Sequence, residues 1–161
     1  MQRAKSNIIK LFFNKLRLSY QPEVVFLIGL PGSGKSTYVK NQRETLKKFR
    51  KYAVCSTDNY IETYASISGK KYHEVFEQLY PDAEKHFFEN IRDAVKNNMS
   101  MFIDRTNCST DDRQQILNLI PPNYHKRAVI FHVPQDELKK RLYKRSETTG
   151  KFISDEVLQK I

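Results

Sequence analysis

The sequence predicts an α/β fold in which a parallel sheet of about four to five strands is flanked by helices. Three observations favour this fold. Short apolar runs alternate along the chain with helix-compatible stretches, as in parallel sheets that are covered on both faces. A glycine-rich loop at residues 29–36 lies between the first apolar run and the first helical stretch. Polar clusters that contain carboxylates follow the next two apolar runs, at the strand ends where open α/β sheets bind their ligands.

Apolar runs rich in β-branched and aromatic residues predict the strands of this sheet. They span residues 24–28, 52–56, 101–103 and 128–133. Helical patterns span residues 36–49, 59–67, 72–79, 82–97, 109–119 and 137–146, and a last helix is expected at 155–161 with Ser154 as its N-cap. Pro81 is expected to separate the helices on either side of it, because proline lacks the backbone N–H that a helix interior needs. Ser109 or Thr110 is the expected N-cap of the helix that follows.

Residues 1–22 form a basic extension in front of the first strand, with no acid before Glu23. Within it, residues 4–18 carry apolar side chains at helical spacing, which predicts an amphipathic helix. Three interpretations stay open: an added helix that packs on the domain, a docking or membrane-surface helix, or a transit peptide. Residues 23–161 are expected to form one domain. Its last helix reaches Ile161 without a stop signal, so truncation at the C-terminus stays open.

The composition limits the class of protein. A chain of 161 residues suits one domain with a substantial core. No apolar run approaches the ~20 residues that span a bilayer. Cys55 and Cys108 match no metal-ligand spacing, so a cytoplasmic or other reducing intracellular location is expected, with organelle targeting by the basic N-terminus left open. The net charge of +10 predicts a polyanionic partner.

The loop at residues 29–36, with the sequence GLPGSGKS, fits the phosphate-binding loop (P-loop) pattern at every fixed position. Its glycines allow successive backbone N–H groups to turn towards a phosphate, and the next helix adds its positive dipole end. Lys35 is expected to reach the β- and γ-phosphates, and the Ser36 hydroxyl to bind Mg²⁺. The motif therefore predicts a nucleoside triphosphate site. Its expected binding residues are Gly29, Pro31, Gly32, Ser33, Gly34, Lys35, Ser36 and Thr37.

Two carboxylates follow predicted strands. Asp58 lies just after the second strand, where it can face the γ-phosphate and accept the proton of an attacking hydroxyl. It can equally be an ordinary helix N-cap, because aspartate is favoured there. Asp104 follows the third strand, where a carboxylate can assist Mg²⁺ binding through water.

Arg141 and Arg145 are spaced by four residues and therefore share one face of a predicted helix. Two guanidinium groups on one face can bind transferring phosphates, and small P-loop kinases place a mobile lid at this position. The alternative is a basic helix surface exposed to solvent. Arg113 lies on the preceding helix, where it can reach back towards the site or lie in solvent.

Over residues 24–161 the chain resembles the phage-type polynucleotide 5′-hydroxyl kinases. The motifs that carry the resemblance occur in the family's order: GLPGSGKST at 29–37, STDNY at 56–60, DRTN at 104–107 with Arg113, FHVP at 131–134 and LKKRLYKR at 138–145. The resemblance implies a P-loop kinase domain with a helical lid. It further implies that Lys35 and Ser36 bind phosphates and Mg²⁺, that Asp58 is the general base, and that Arg141 and Arg145 act from the lid.

Two positions depart from the family pattern. The phage enzyme has an arginine three residues after its general base, where it binds a phosphate of the acceptor, and this chain has Ile61. Lys70 or Lys71 is expected to take over that role. The family's acid directly precedes Thr-Asn, whereas Asp104 lies one residue earlier. The expected substrate-binding residues are Asn107, Arg113, Lys70 and Lys71.

Three functions follow from these observations. The leading one is transfer of the γ-phosphate of ATP, GTP or another triphosphate to the 5′-hydroxyl of RNA or DNA, with Mg²⁺, in nucleic-acid end healing or repair. The second is a small-molecule kinase on the same scaffold. The third is a nucleotide-gated nucleic-acid-binding module without transferase activity. The sequence does not determine the base of the triphosphate donor or whether the acceptor is RNA or DNA. It also leaves open the oligomeric state and whether phosphatase or ligase domains belong to the native chain.

Overall fold

The computed structural model describes residues 21–46, 52–153 and 158. Its strands are β1 (Glu23–Ile28), β2 (Tyr52–Cys55), β3 (Ser100–Ile103) and β4 (His125–Ile130). Its helices are α1 (Lys35–Leu46), α2 (Thr57–Ser68), α3 (Tyr72–Lys96), α4 (Thr110–Leu117) and α5 (Gln135–Thr149).

The strands form one parallel sheet in the order β2-β3-β1-β4, which confirms the predicted fold class. Phe102 of β3 pairs with Val25 of β1 on one side and with Val54 of β2 on the other. Because all strands point the same way, their carboxyl ends meet at one edge of the sheet. The loops after β1, β2 and β3 therefore converge on the same place.

Side chains of alternate strand residues point to opposite faces of the sheet and contribute to two apolar cores, one on each face. Val24, Phe26, Met101 and Ile103 pack with side chains of α3 and with the region of α4. On the other face, Val25, Leu27 and Phe102 pack with Val39 of α1. The central strands are buried on both faces, which explains why they read as continuous apolar runs.

A third apolar cluster joins α2 to α3 beside the sheet. Ile61 and Ala65 of α2 pack against Val75, Leu79 and Ala83 of α3, and Ile61 is fully buried. This packing fixes the first turn of α2, which follows β2 directly, relative to the start of α3.

The prediction that Pro81 separates two helices is wrong. Helix α3 runs unbroken from Tyr72 to Lys96 with Pro81 inside it. Proline removes one backbone hydrogen bond, but the helix buries an apolar stripe on both sides of this position, including Leu79 and Ala83, and that burial outweighs the loss.

The predicted bounds of several other elements need correction. Strand β4 begins at His125, not at residue 128, because it lies at the edge of the sheet and three of its polar residues pair with β1. Helix α2 begins at Thr57, and α5 extends from Gln135 to Thr149. Ser109 is the N-cap of α4, since its hydroxyl accepts a hydrogen bond from the backbone N–H of Asp112.

Some predictions lie outside the described residues. These are the helix at 4–18, the end of the first helix beyond Leu46, the cap at Ser154 and most of the helix at 155–161. In the described part of the chain, no helix is both long and apolar enough to cross a membrane.

Candidate active site

A cavity of about 890 Å³ lies at the carboxyl edge of the sheet. Its walls are the loop after β1, the first turn of α2, one face of α3, the loop after β3, and α5 with the segment that follows it. The expected nucleotide-binding residues Pro31, Gly32, Gly34, Lys35, Ser36 and Thr37 line it. So do Asp58, Asp104, Arg141 and Arg145, which sequence motifs had singled out separately.

The loop at residues 29–36 folds tightly around the Lys35 side chain. The Lys35 ammonium donates hydrogen bonds to the carbonyls of Gly29 (2.7 Å) and Leu30 (2.9 Å). Burial lowers the pKa of Lys35, and the nearby Asp104 carboxylate acts against this effect. A Cβ at Gly29 would lie 2.8 Å from the Ser33 hydroxyl and 2.9 Å from the carbonyl of Phe131, so only glycine fits there. Ser33 Oγ is buried without a hydrogen-bond partner among the described residues.

Helix α5 packs directly on this loop. A Cβ at Gly32, where φ is +82°, would lie 3.0 Å from Cδ2 of Leu142 and 3.4 Å from Cδ1 of Leu138. Both leucines are buried although α5 is otherwise polar. Arg141 and Arg145 lie beside these leucines on the same side of α5, so the contact with the loop also holds both arginines at the cavity.

Ser36 and Asp104 form an oxygen-rich pair beside Lys35. The Ser36 hydroxyl donates a hydrogen bond of 3.0 Å to Oδ2 of Asp104. Burial raises the pKa of Asp104, and the Ser36 hydrogen bond and the Lys35 charge offset part of that rise. A hydroxyl and a carboxylate are the donors that Mg²⁺ prefers, usually together with phosphate oxygens and waters. No cluster of three or more His, Cys, Asp or Glu suited to a metal occurs in the described ranges.

Asp58 lies in the first turn of α2, but it is not the N-cap. That role belongs to Ser56, whose hydroxyl accepts a hydrogen bond from the backbone N–H of Asn59. The Asp58 carboxylate therefore remains available to the cavity. Its Oδ1 accepts a hydrogen bond of 2.7 Å from the Tyr72 hydroxyl, and its Oδ2 accepts one of 2.8 Å from the Lys151 ammonium. Burial works to raise the pKa of Asp58, but Lys151, Tyr72 and Arg145 together bring the pKa below its usual value.

Lys151 is buried where the chain leaves α5. Besides Asp58, its ammonium contacts the Glu62 carboxylate and lies 4.3 Å from the centroid of the Tyr72 ring. The turn before it is docked on α3, since the carbonyl of Gly150 lies 3.0 Å from Nδ1 of His73. The segment after α5 is thus anchored at both the start of α3 and the first turns of α2.

The two arginines of α5 differ in their contacts. Nη2 of Arg145 lies 3.8 Å from Oδ2 of Asp58 and 3.9 Å from Oε1 of Glu62. Arg141 forms an ion pair of 2.8 Å with Glu137 on its own helix. Both line the cavity, so the predicted pair lies on one face and faces the P-loop.

Asn107 and Arg113, expected to bind substrate, hold the loop after β3 together. The Asn107 amide donates hydrogen bonds to the carbonyls of Leu27 (2.8 Å), Ile103 (3.0 Å) and Arg105 (3.1 Å). Arg113 donates to the carbonyls of Asn107 and Cys108 over 2.7 and 2.8 Å. These bonds fix the end of β3 against that of β1.

Lys70 and Lys71, also expected to bind substrate, are exposed at the turn between α2 and α3. The Lys71 side chain lies against Gly150. Neither lysine lines the described cavity, and neither do Asn107 and Arg113. Substrate binding by these four residues stays a prediction without a contact that supports it.

A family model for the AAA domain matches residues 24–161. The chain belongs to this family. The match covers the described sheet from Val24 onwards together with the cavity, and it leaves out residues 1–23.

Solved structures resemble this AAA domain in fold. A chain of the Pnkp1/Rnl/Hen1 RNA repair complex has 26% identity and a TM-score of 0.65 over 88% of this chain and 43% of that one. This chain thus spans less than half the length of that relative. A kinase named as putative, from Chloroflexus aurantiacus, has 16% identity and a TM-score of 0.65 over 88% of this chain and 75% of that one. A gluconokinase from Sinorhizobium meliloti has 16% identity and a TM-score of 0.51 over 87% of this chain and 73% of that one. The resemblance to P-loop kinases of the polynucleotide kinase type is confirmed.

Several residues of the AAA domain's cavity were not predicted. The sequence motifs assign no role to Lys151, Tyr72, Phe76, Tyr80 or Arg105. The three aromatic residues repeat at four-residue intervals, which is a helical spacing. The prediction that α3 breaks at Pro81 hid this pattern, because it placed Tyr80 outside the helix.

Proposed function

We propose that this chain is a phosphotransferase that moves the γ-phosphate of ATP, or of another nucleoside triphosphate, to the 5′-hydroxyl of RNA or DNA ends. The observation that carries the proposal is the position of Asp58. A carboxylate with a lowered pKa lines the same cavity as the P-loop, and it lies on α2 rather than on the loop. A group bound between the two would have phosphates on one side and a proton acceptor on the other.

The chemical step follows from these positions. The acceptor's 5′ oxygen forms a bond to the γ-phosphorus, the bond from that phosphorus to the β–γ bridging oxygen breaks, and the departing product is the nucleoside diphosphate. The hydroxyl proton passes to Asp58. Each carboxylate oxygen can accept more than one hydrogen bond, so Tyr72 and Lys151 leave capacity for the acceptor hydroxyl. Lys35 and Arg145 stabilise the negative charge that spreads over the phosphate oxygens, together with Arg141.

Magnesium fits the site through Ser36 and Asp104. Their hydroxyl and carboxylate oxygens lie beside the Lys35 ammonium, where the triphosphate is expected to bind. When bound, Mg²⁺ would neutralise phosphate charge. The Ser36 hydroxyl would contact the ion, and the Asp104 carboxylate would orient the water molecules bound to it.

A nucleic-acid acceptor is supported by two independent features. The chain has a net charge of +10, which suits a polyanionic partner. The structure with 26% identity comes from an RNA repair complex. A role in nucleic-acid end healing is therefore part of the proposal.

A small-molecule kinase is the second candidate. Ile61, which takes the place of an acceptor-binding arginine in the resembling family, is fully buried between α2 and α3. No side chain at that position can reach the cavity without leaving the core. This removes one phosphate contact that a polynucleotide acceptor would use.

An acceptor panel distinguishes the two candidates. The protein is incubated with γ-labelled ATP or GTP and with 5′-hydroxyl RNA, 5′-hydroxyl DNA, nucleoside 3′-phosphates and small hydroxy acids. The proposal predicts labelled 5′ ends, at a rate that falls steeply as salt rises. Labelling of small hydroxy acids alone would establish the second candidate. No transfer to any acceptor would overturn both.

A further inference from the structure

One face of α3 presents a continuous row of aromatic rings to the cavity. Tyr72, Phe76 and Tyr80 are spaced by four residues and all line it. Neighbouring ring centroids are 5.5 Å apart for Tyr72 and Phe76, and 5.3 Å apart for Phe76 and Tyr80. These three residues are called the aromatic wall below.

The aromatic wall is fixed from behind. All three side chains are partly buried and pack against the apolar cluster formed by Ile61, Ala65 and Val75 with their neighbours. Their positions are therefore set by the core between α2 and α3, while the remaining ring surface faces the cavity.

Polar contacts also fix both ends of the wall. The Tyr72 hydroxyl donates a hydrogen bond to Asp58, and the Arg105 guanidinium donates one of 2.9 Å to the Tyr80 hydroxyl. Phe76 lies between them and offers an apolar ring without a polar atom. A preorganised row of rings beside cationic groups is the arrangement on which proteins stack the bases of single-stranded nucleic acids.

We propose that the aromatic wall stacks the nucleobase of the acceptor's 5′-terminal nucleotide, with Phe76 as the central contact. This inference rests on the proposed function. The wall begins at Tyr72, which is hydrogen-bonded to the carboxylate that receives the hydroxyl proton. A 5′-hydroxyl at Asp58 carries its base one sugar away, which places the base along α3 rather than over the P-loop.

The charges around the wall fit this ligand. Arg105 at the far end and Arg145 with Lys151 near Asp58 line the same cavity. A nucleotide chain whose first base lies on Phe76 would meet Arg105 on one side and Arg145 with Lys151 on the other. Arg105 pairs with Glu84, and the Glu77 carboxylate lines the same cavity. Stacking depends on the π-face that every base has, so the wall selects nucleotides over small hydroxy acids without reading sequence.

The test compares two substitutions on the same helix with two matched acceptors. Phe76→Leu removes the ring from the wall. Phe88→Leu makes the same change at a partly buried phenylalanine that packs on the main core and does not line the described cavity. The acceptors are a 5′-hydroxyl oligonucleotide and the same oligonucleotide with an abasic 5′-terminal nucleotide.

Phe76→Leu is expected to raise the KM for the base-bearing acceptor about tenfold. It should leave the KM for the abasic acceptor and for ATP unchanged, and Phe88→Leu should change none of the three. Three results for Phe76→Leu would overturn the inference. The KM could rise equally for both acceptors, no KM could change, or the KM for ATP could rise instead of that for the base-bearing acceptor. The last outcome would mean that the donor base occupies the wall.

A binding measurement separates this inference from the proposed function. An oligonucleotide with 2-aminopurine at its 5′ terminus reports stacking through fluorescence quenching, and it requires no transfer. Quenching by wild type and Phe88→Leu but not by Phe76→Leu would support the wall even if no phosphate were transferred. If phosphate is transferred but Phe76→Leu does not change the quenching, the role of the aromatic wall is refuted and the kinase proposal stays intact. Absence of both quenching and transfer would refute both.

Discussion

The ammonium of Lys151 lies 2.8 Å from Oδ2 of Asp58, although the two residues are 93 positions apart in the sequence. The contact brings the segment after α5 onto the first turn of α2. The proton affinity of the proposed general base therefore depends on a residue at the end of the proposed lid. Glu62 shares the same ammonium, so the lysine is held by two carboxylates from one face of α2.

Lys151→Gln is expected to move the acid limb of the pH–rate profile to higher pH. The charge and the hydrogen bond of Lys151 favour ionised Asp58, and with Tyr72 and Arg145 they bring the pKa of Asp58 below its usual value despite burial. A general base works only while ionised, so activity is lost as the pH falls through that pKa. Without the lysine the pKa rises and the loss begins at higher pH. The measurement is kcat/KM against pH.

Lys144→Gln is the matched control, because Lys144 lies on exposed α5 surface and does not line the described cavity. Its acid limb should coincide with that of wild type. Thermal unfolding checks that Lys151→Gln is folded. If the acid limb of its pH–rate profile is then unchanged, Lys151 does not set the proton affinity of the catalytic group.

Asp58→Asn should slow transfer by about 10²- to 10⁴-fold, the usual contribution of a general base. Its affinity for ATP should stay close to that of wild type, because the P-loop residues are untouched. Single-turnover transfer and nucleotide titration measure the two quantities. Full activity in the variant would exclude Asp58 as the base. Nucleotide and partner binding by both proteins, without product from either, would instead indicate a binding module.

The features predicted well from the sequence are those that depend on local patterns. The P-loop motif fixes its own backbone, and the central strands β1 and β3 are buried on both faces, so their apolar runs are visible without tertiary information. Strand β2 is partly exposed at the sheet edge, but it is still a short apolar run. Strand β4 was placed three residues too late because its first residues are polar at a sheet edge. Helix α3 was divided because the effect of Pro81 is local, whereas the burial of Leu79 and Ala83 that holds the helix together is tertiary.

The candidate site was predicted where a motif marks it and missed where contacts are distant in sequence. Asp58, Asp104 and Arg145 follow recognisable strands or helical spacing. Lys151 acquires its position only because Gly150 docks on His73 and Lys71, and nothing in the local sequence indicates that contact. The same holds for Ile61, whose burial depends on the packing of α2 on α3.

Gly32→Ala is expected to weaken ATP binding about tenfold. The new Cβ would lie 3.0 Å from Cδ2 of Leu142, so the Leu142 side chain or the P-loop must move by a few tenths of an ångström. Gly69→Ala is the control: its φ is also positive, at +66°, but no atom lies within 4 Å of the added Cβ. Both variants should lose about 1–2 kcal/mol of stability from the backbone strain. Equal ATP affinity in the two variants would show that the packing of α5 on the P-loop at Gly32 does not affect nucleotide binding.

Ile61→Arg is expected to destabilise the protein by at least ~3 kcal/mol rather than to supply an acceptor contact. The side chain is fully buried, and an unpaired guanidinium would replace it. Ile61→Val, which only removes a methyl group, should cost about 1 kcal/mol. Chemical denaturation of the three proteins measures the differences. A folded arginine variant with wild-type stability and tighter acceptor binding would show that position 61 can face the cavity.

Transfer from γ-labelled ATP to a 5′-hydroxyl oligonucleotide tests the central claim most directly, with the same oligonucleotide carrying a 5′-phosphate as the matched acceptor. The account predicts label on the hydroxyl-ended acceptor alone, at its 5′ end and removable by a phosphatase. Absence of label on the hydroxyl-ended acceptor, under conditions where the protein binds ATP, would contradict it.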